Sequence, residues 1–391
     1  MIICKGKYGE AKIAADFVES SAMNQINELL NTPVAEDAHI RIMPDVHAGA
    51  GCVIGTSMII TNKIVPNLVG VDIGCGVFSQ RFDTDGREID FAELDNTIRN
   101  NVPHGFGIHE TSAFDKCEAS MFSQSSVNDC INAIKAPIDK ERAFKSVGSL
   151  GGGNHFIEVN KCENGDYMLN IHSGSRHMGV EVANYYQAKA VEHCANMGYA
   201  VSKALAFLEG ELFNDYMHDM ALVQMYANMN RIMISDLIYY NMLRKDNRVT
   251  LKNGFSTVHN YIDKKSCTYA KNKTDGFILR KGAVAAYEGQ MLVIPINMKD
   301  GTLLCRGKGN AEWNWTAPHG AGRLYSRGAA KSELSMEDFK NDMKGIYTSC
   351  VKESTLDECP RAYKGIDSIL QNIEPMAEVV EILKPVYNFK A

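Results

Sequence analysis

Between Val180 and Leu243 the sequence changes period, and that change constrains the fold more than any other feature. Leu222, Tyr226, Met229, Met233, Leu237 and Tyr240 recur at spacings of three and four, which places them on one apolar face of a long helix. A methionine-rich stripe of this kind is core packing rather than a cofactor box. Before Ser175, short β-type runs alternate with glycine-rich turns: Ile40–Met43, Cys52–Ile60, Val77–Phe82, Phe156–Val159 and Met168–Ile171. Strands return from Val258 to Leu304, with Ala283–Ala286 and Met291–Ile296 the clearest. From Tyr363 onward the pattern predicts one helix followed by a short strand. Segregated strand and helix blocks, without regular βαβ alternation, predict an α+β fold. No repeat, low-complexity tract or Pro/Ser linker interrupts the chain. One large domain over residues 1–391 is therefore expected, with a helical segment at about 180–245.

Composition narrows the class of function. The 391 residues are 45% hydrophobic and 23% charged, which are globular proportions. No run approaches the ~18 to 20 apolar residues of a membrane span, and charges at Lys5, Lys7 and Glu10 fall where a signal peptide would be apolar. A cytoplasmic protein is expected. Eleven cysteines, an odd number without a CxxC pair, fit free thiols in a reducing compartment, one of them a candidate metal ligand. The formal charge of −6 argues against a generally basic nucleic-acid binder. Locally, however, Arg280, Lys281, Lys299, Arg306, Lys308, Arg323, Arg327 and Lys331 outnumber Glu288, Asp300 and Glu312. That surplus is either a basic groove or an ordinary fluctuation.

Chemistry-bearing residues concentrate in polar loops, most of them flanked by glycine. These are Asp45-Val46-His47, Asp72-Ile73-Gly74-Cys75, Gly153-Asn154-His155-Phe156-Ile157-Glu158, His172-Ser173-Gly174-Ser175-Arg176, His259-Asn260 and Pro318-His319-Gly320-Ala321-Gly322-Arg323. Glycine lets backbone approach a ligand closely. Asp72 and Cys75 flank a tight turn that could aim carboxylate and thiolate at one ion. Imidazoles from His155, His172 and His259 would complete a mixed O/S/N set suited to Mn²⁺, Zn²⁺ or Fe²⁺. Taken singly, each histidine is more often structural, and Cys75 alone is more often a small buried hydrophobe. Only convergence would be informative, and sequence alone does not show that the loops meet. His319, between glycines and near Arg323, follows Arg306-Gly307-Lys308-Gly309-Asn310. Such loops cradle phosphate, and a neutral imidazole is a competent nucleophile on activated phosphate; the bland alternative is a glycine-rich turn. Lys273-Thr274-Asp275-Gly276 fits the short KxDG pattern of lysine nucleotidyl acceptors, but reads better as a surface turn.

These loops, in this order, resemble the RtcB family of RNA ligases. The likeness runs from about Arg41 to Lys390 and is strongest in MPDVHAGAGCVIG, VGVDIGCG, LGGGNHFIEV, IHSGSR, VHNY, RKGAVAAYEGQ, RGKGN, PHGAGR and AYKGIDSIL. The resemblance implies mixed and antiparallel sheets around a central metal site, with a helical insertion. It implies a GTP- and Mn²⁺-dependent enzyme joining RNA 3′-phosphate or 2′,3′-cyclic phosphate ends to 5′-hydroxyl ends in RNA repair or tRNA splicing. Asp72, Cys75, His155, His172 and His259 would bind two Mn²⁺, with Cys75 bridging. His319 would form a covalent histidine–GMP. Asn154, Phe156, Glu158, Asn260, Tyr363 and Lys390 would enclose the nucleotide, and Arg176 and Arg323 would engage phosphates. Asp45 or His47 would assist opening of a cyclic phosphate. A monomer is expected, with an archease-like activator as a candidate partner. The sequence departs from the family pattern at Val258 (usually histidine), Ala50 (lysine), Ile296-Asn297-Met298 (Gly-Ser-Met), and Trp313 and Trp315 (a Ser/Cys-rich stretch). The rival readings are a metal-dependent phosphoesterase and an RNA-binding module on the same scaffold.

Overall fold

Strand-type runs cannot bury their apolar faces alone, and in the computed structural model they pair into sheets flanked by helices. The structure describes residues 1–36, 38–117, 119–245, 249–267 and 276–391, so Lys273, Thr274 and Asp275 lie outside the described residues. In chain order the strands begin with β1 (Ile2–Lys5), β2 (Glu10–Ile13), β3 (His39–His47), β4 (Ile54–Ile60) and β5 (Gly76–Asp83). Next come β6 (Phe156–Lys161), β7 (Tyr167–Ser173), β8 (Thr250–Val258), β9 (Asn260–Cys267) and β10 (Gly276–Lys281). β11 (Ala283–Ala285), β12 (Met291–Asn297), β13 (Gly301–Gly307), β14 (Thr316–Pro318) and β15 (Ala377–Lys390) complete them. The helices are α1 (Ser20–Leu30), α2 (Phe91–Asn101), α3 (Gln124–Asn132), α4 (Lys140–Ser146) and α5 (Arg176–Asn196). They continue with α6 (Gly210–Asn241), α7 (Arg327–Glu333), α8 (Met336–Asp342) and α9 (Ile366–Ile373).

One sheet runs β1-β2-β3-β4-β10-β9, a second β12-β13-β15-β6-β7-β5-β8, and β11 pairs with β14. Pairing is antiparallel except between β2 and β3. The α+β expectation stands, and the five early β-type runs all fall in or across strands. Three expectations are corrected. The region before Ser175 also holds α1 to α4, which are short and polar on their outer faces: α2 buries Leu94 and Ile98 among charged neighbours and is fixed by its Asp90 cap. Strands resume at Thr250 rather than Val258. The C-terminal strand is not short. β15 runs fourteen residues between β13 and β6, and Pro385, which looks like a terminator, sits where the register shifts.

The helix read from the stripe is α6, and its surroundings differ from a surface helix. Tyr226, Met229, Met233 and Leu237 are buried as the stripe requires, but so are Met220, Ala227, Asn230, Arg231 and Ile234 on the other faces. The helix packs on β5 and β7 and is covered by α2, α3 and α5. Its polar pair, Asn230-Arg231, ties three loops together. Asn230 Oδ1 accepts from the amides of Gly148 (2.9 Å) and Ser149 (3.2 Å). Its Nδ2 lies 3.1 Å from Ser149 O, 3.0 Å from Ser173 Oγ and 3.1 Å from Gly174 O. Arg231 Nη1 donates to Gly74 O at 2.7 Å and Ser173 O at 2.9 Å. Those loops lead to His155, follow His172, and join Asp72 to Cys75.

Truncating Asn230 strands several buried amides and carbonyls at about 1–3 kcal/mol each. Asn230→Ala is therefore expected to lose on the order of 3 kcal/mol of stability in urea denaturation. A loss below about 1 kcal/mol would show that other contacts hold the loops.

Candidate active site

Register brings the candidate ligands together. β6, β7, β5 and β8 lie side by side. Phe156 and Val77 both face His172, while Gly76 faces Ser173 and Val258. Cys75, His155, His172 and His259 therefore emerge at one end of four neighbouring strands. Asp72 reaches the same end through its turn, where the Gly74 amide donates to Asn260 O at 2.7 Å. Gly74 has φ +73, and a Cβ there would come within 2.8 Å of the α6 backbone at Gln224. Only glycine lets this turn lie on the helix.

The donor atoms form two groups sharing one thiol: Asp72, Cys75 and His155, and Cys75, His172 and His259, with the atoms of each group within 4.8 Å of one another. Cys75 Sγ is 3.4 Å from His155 Nε2 and 3.3 Å from His172 Nε2. His155 Nε2 is 3.0 Å from Asp72 Oδ2, and His172 Nε2 is 3.4 Å from His259 Nε2. His155 Nδ1 and His172 Nδ1 instead lie 2.9 Å and 3.1 Å from the carbonyls of Leu150 and Asn154. A carbonyl only accepts, so these Nδ1 atoms carry protons and the Nε2 lone pairs turn inward. This is how imidazoles are set to bind metal. Burial, then neighbouring imidazoles, hold His172 and His259 well below the usual histidine range, which keeps them neutral donors. Burial, then Asp72, pushes the Cys75 thiol up. Burial opposes ionisation of Asp72, but its contacts with His155 and Cys75 outweigh it and lower its pKa. The five residues fit one or two ions of borderline softness.

His319, at the end of β14, stands beside this cluster with its ring 4.9 Å from that of His259. Its Nδ1 is 2.6 Å, and its amide 3.1 Å, from Oδ2 of the fully buried Asp45. A carboxylate at Nδ1 places the proton there and leaves Nε2 with the lone pair. His47 Nδ1 bonds Asp45 O at 2.9 Å, and burial lowers its pKa.

One cavity joins His47, His172, His259 and His319 to Asn154, Phe156, Glu158, Arg323, Tyr363 and Lys390. Asn260 does not line it. Its side chain serves the loops beneath, accepting from the Gly282 amide at 3.0 Å. Arg176 also lies elsewhere, in a second groove with Asp72 and His155. Glu158 ends a buried polar rail in which Ser79, Asn170 and Asn160 bond in series and Asn160 Nδ2 reaches Glu158 at 2.8 Å. Burial raises Glu158 to about 7 despite bonds from Asn160 and Thr302.

Sequence reasoning missed Glu358, Arg327 and Asn388, which carry no glycine-bracketed motif. Glu358 accepts from Tyr363 Oη at 2.5 Å and pairs with Lys390 at 2.7 Å, Arg327 at 2.8 Å and Arg323 at 3.2 Å. These cations hold it down to about 2 although burial works the other way. The basic run from Arg280 does not form one groove. Arg280 is buried against Asp263, Lys299 meets Asp342, Lys308 meets Glu374, and Lys331 meets Asp357. The missed signal for Asn230-Arg231 was an Asn-Arg pair inside an apolar stripe.

Comparison with known proteins identifies the family. The family model described as tRNA-splicing ligase RtcB matches residues 25–391. The RNA-splicing ligase RtcB of Escherichia coli K12 is 31% identical, with 94% of each chain covered. The tRNA-splicing ligase RtcB of Aeropyrum pernix is 27% identical over 84% of this chain and 83% of its own, and that of Thermococcus kodakarensis 26% over 88% and 86%. With a matching model over nearly its whole length and a relative 31% identical over 94% of each chain, this chain belongs to the RtcB family.

Proposed function

We propose that this protein, acting as one ligase domain, joins RNA 3′-phosphate or 2′,3′-cyclic phosphate ends to 5′-hydroxyl ends, consuming GTP through a covalent guanylate on His319. The observation that carries this reading is the tautomer of His319: Asp45 occupies Nδ1, so the nucleophilic nitrogen is Nε2 of a ring lining the cavity. The Nε2 lone pair forms a bond to the α-phosphorus of GTP as the bond to pyrophosphate breaks. The guanylate passes from His319 to a phosphate oxygen of the RNA 3′ end. The 5′-hydroxyl then attacks that activated phosphorus and GMP departs. Two Mn²⁺ held by Asp72, Cys75, His155, His172 and His259 would polarise phosphoryl oxygens and offset the charge of the leaving group.

In this reading Glu158, supported by the polar rail, accepts the guanine N–H donors, while Phe156, Asn154, Tyr363 and Lys390 enclose the nucleotide and Arg323 faces its phosphates. Asp45 is a positioning residue for His319. Opening of a cyclic phosphate then falls to His47, which lines the same cavity and which burial keeps neutral, as a general base must be. The protein is proposed to act in the cytoplasm as a monomer. No helix among the described residues is long and apolar enough to cross a membrane.

Three outcomes are expected. With Mn²⁺ and GTP labelled at the α-phosphate, the wild type should carry label through denaturing electrophoresis, and His319→Ala should carry none while still binding Mn²⁺. Phosphate release from RNA without any adduct would instead favour the phosphoesterase. His47→Ala should slow joining of cyclic-phosphate ends by ~100-fold or more, the usual worth of a general base, with 3′-phosphate ends joined at near the wild-type rate; equal slowing of both would remove His47 from that step. Glu158 should make nucleotide binding pH-dependent. The folded protein keeps this proton up to about 7, whereas an unfolded glutamate loses it near its ordinary value of 4.5. Folded stability from this group therefore falls across that window while GTP affinity rises. Calorimetry should find GTP bound roughly tenfold more weakly at one pH unit below that value, and a flat profile would mean that Glu158 does not contact guanine.

A further inference from the structure

The second groove shares no lining residue with the His319 cavity, yet it opens on Asp72 and His155. Its rim carries Phe106, 98% exposed, between Gly105 and Gly107. Among the described residues it is the most exposed of the large apolar side chains. Its turn is held in place: Gly105 N donates to Gly151 O at 2.9 Å, Arg176 Nη2 donates to Gly105 O at 3.1 Å, and Gly107 N donates to His104 O at 3.0 Å. Arg176 adopts φ +56, a left-handed backbone uncommon for arginine, and its Nε is fixed by Ser149 Oγ at 3.0 Å.

The groove wall is cationic. Arg142 on α4 lines it with Arg176 and His177. Among the described residues the Arg142 guanidinium makes no hydrogen bond or ion pair, and its charge bears on Arg176. Asp72 is the carboxylate in the lining; it faces His155 Nε2 in the ligand cluster and already accepts from the Ser175 amide. Two guanidiniums beside an exposed aromatic on a hydrogen-bonded turn suit a chain of phosphates and stackable bases better than an apolar protein surface.

We propose that this groove receives a single-stranded RNA end, with a base stacked on Phe106 and a phosphate between Arg142 and Arg176, directed at the Asp72–His155 side of the site. The proposal rests on the RNA-ligase reading and adds the path by which one RNA strand enters, apart from the nucleotide. Recognition through stacking and charge is tolerant of sequence, because every base offers a π-face.

The test uses the full-length protein and a fluorescent single-stranded RNA of about ten nucleotides ending in a 3′-phosphate, read by anisotropy. Phe106→Ala should bind roughly tenfold more weakly, Phe106→Tyr should restore affinity, and melting temperatures should match because the ring touches no core. Arg142→Ala should weaken binding and reduce the slope of affinity against salt by about one phosphate contact. An abasic terminal nucleotide should cost the wild type the same factor and cost Phe106→Ala nothing further. Wild-type binding that Phe106→Ala leaves intact overturns the groove assignment and points to a protein partner for Phe106, with the ligase reading untouched. A wild type that binds no RNA overturns both.

Discussion

The meeting of Cys75 Sγ with two imidazole nitrogens, at 3.4 Å and 3.3 Å, is the contact on which the rest of the site is arranged. A buried thiol and three buried imidazoles, with a half-buried carboxylate, their lone pairs converging, make a costly arrangement without a cation to satisfy it. The fold supplies rigidity instead of relief. β5 is clamped between β7 and β8, the Asp72–Cys75 turn lies against α6 where only Gly74 fits, and Arg231 fixes the carbonyls of Gly74 and Ser173 from below. Arg231 is itself fully buried, and its Nε and Nη2 have no hydrogen-bond partner among the described residues. Burial lowers its pKa to about 10, against the attraction of Cys75 and Asp72. A guanidinium is kept there at an energetic cost, and the neighbouring acidic ligands are what offset it.

The same logic explains the neighbouring cavity. A buried carboxylate is tolerated when it is hydrogen-bonded or paired, and Glu158 in the cavity wall and Glu358, which bonds the lining residues Arg323, Tyr363 and Lys390, use different solutions. Glu158 leans on neutral partners along the Ser79–Asn170–Asn160 rail and is raised to about 7 by burial. Glu358 is surrounded by Arg323, Arg327 and Lys390 and is held to about 2 against the effect of burial. One wall of the cavity thus offers an acceptor that titrates near neutrality, and another a neutralised cluster of cations. His319 stands between the cavity and the cysteine cluster because Asp45, on β3, reaches across to Nδ1 from the other large sheet.

The residues expected to depart from the family pattern find defined places in the fold. Val258 is absorbed as a β8 residue facing Gly76. Asn297 accepts from the amides of Lys299 and Asp300 at 2.9 Å and so closes the β12–β13 turn at the cavity edge. Trp313 packs into a core cluster with Ile294 and Leu303.

Local chemistry is legible in the chain itself: which loops hold ligand-type residues, the Asp72–Cys75 spacing around Gly74, the long helix with its apolar stripe, and the ordered motifs that resemble the family. Those signals are short-range, since a turn, a helical face or a glycine-flanked histidine is written within a few consecutive residues. Tertiary structure alone decided convergence. Antiparallel register across β6, β7, β5 and β8 brings residues as distant as Cys75 and His259 to one end of a sheet, and the order of strands in a sheet has no local signature. It also moved Asn260 beneath the site and Arg176 into a second groove, enlisted Asn230, Arg231 and Glu358, and dissolved the basic run from Arg280. Charge and hydrogen-bonding partners are chosen in space, where acids remote in sequence such as Asp342, Asp357 and Glu358 stand beside those cations.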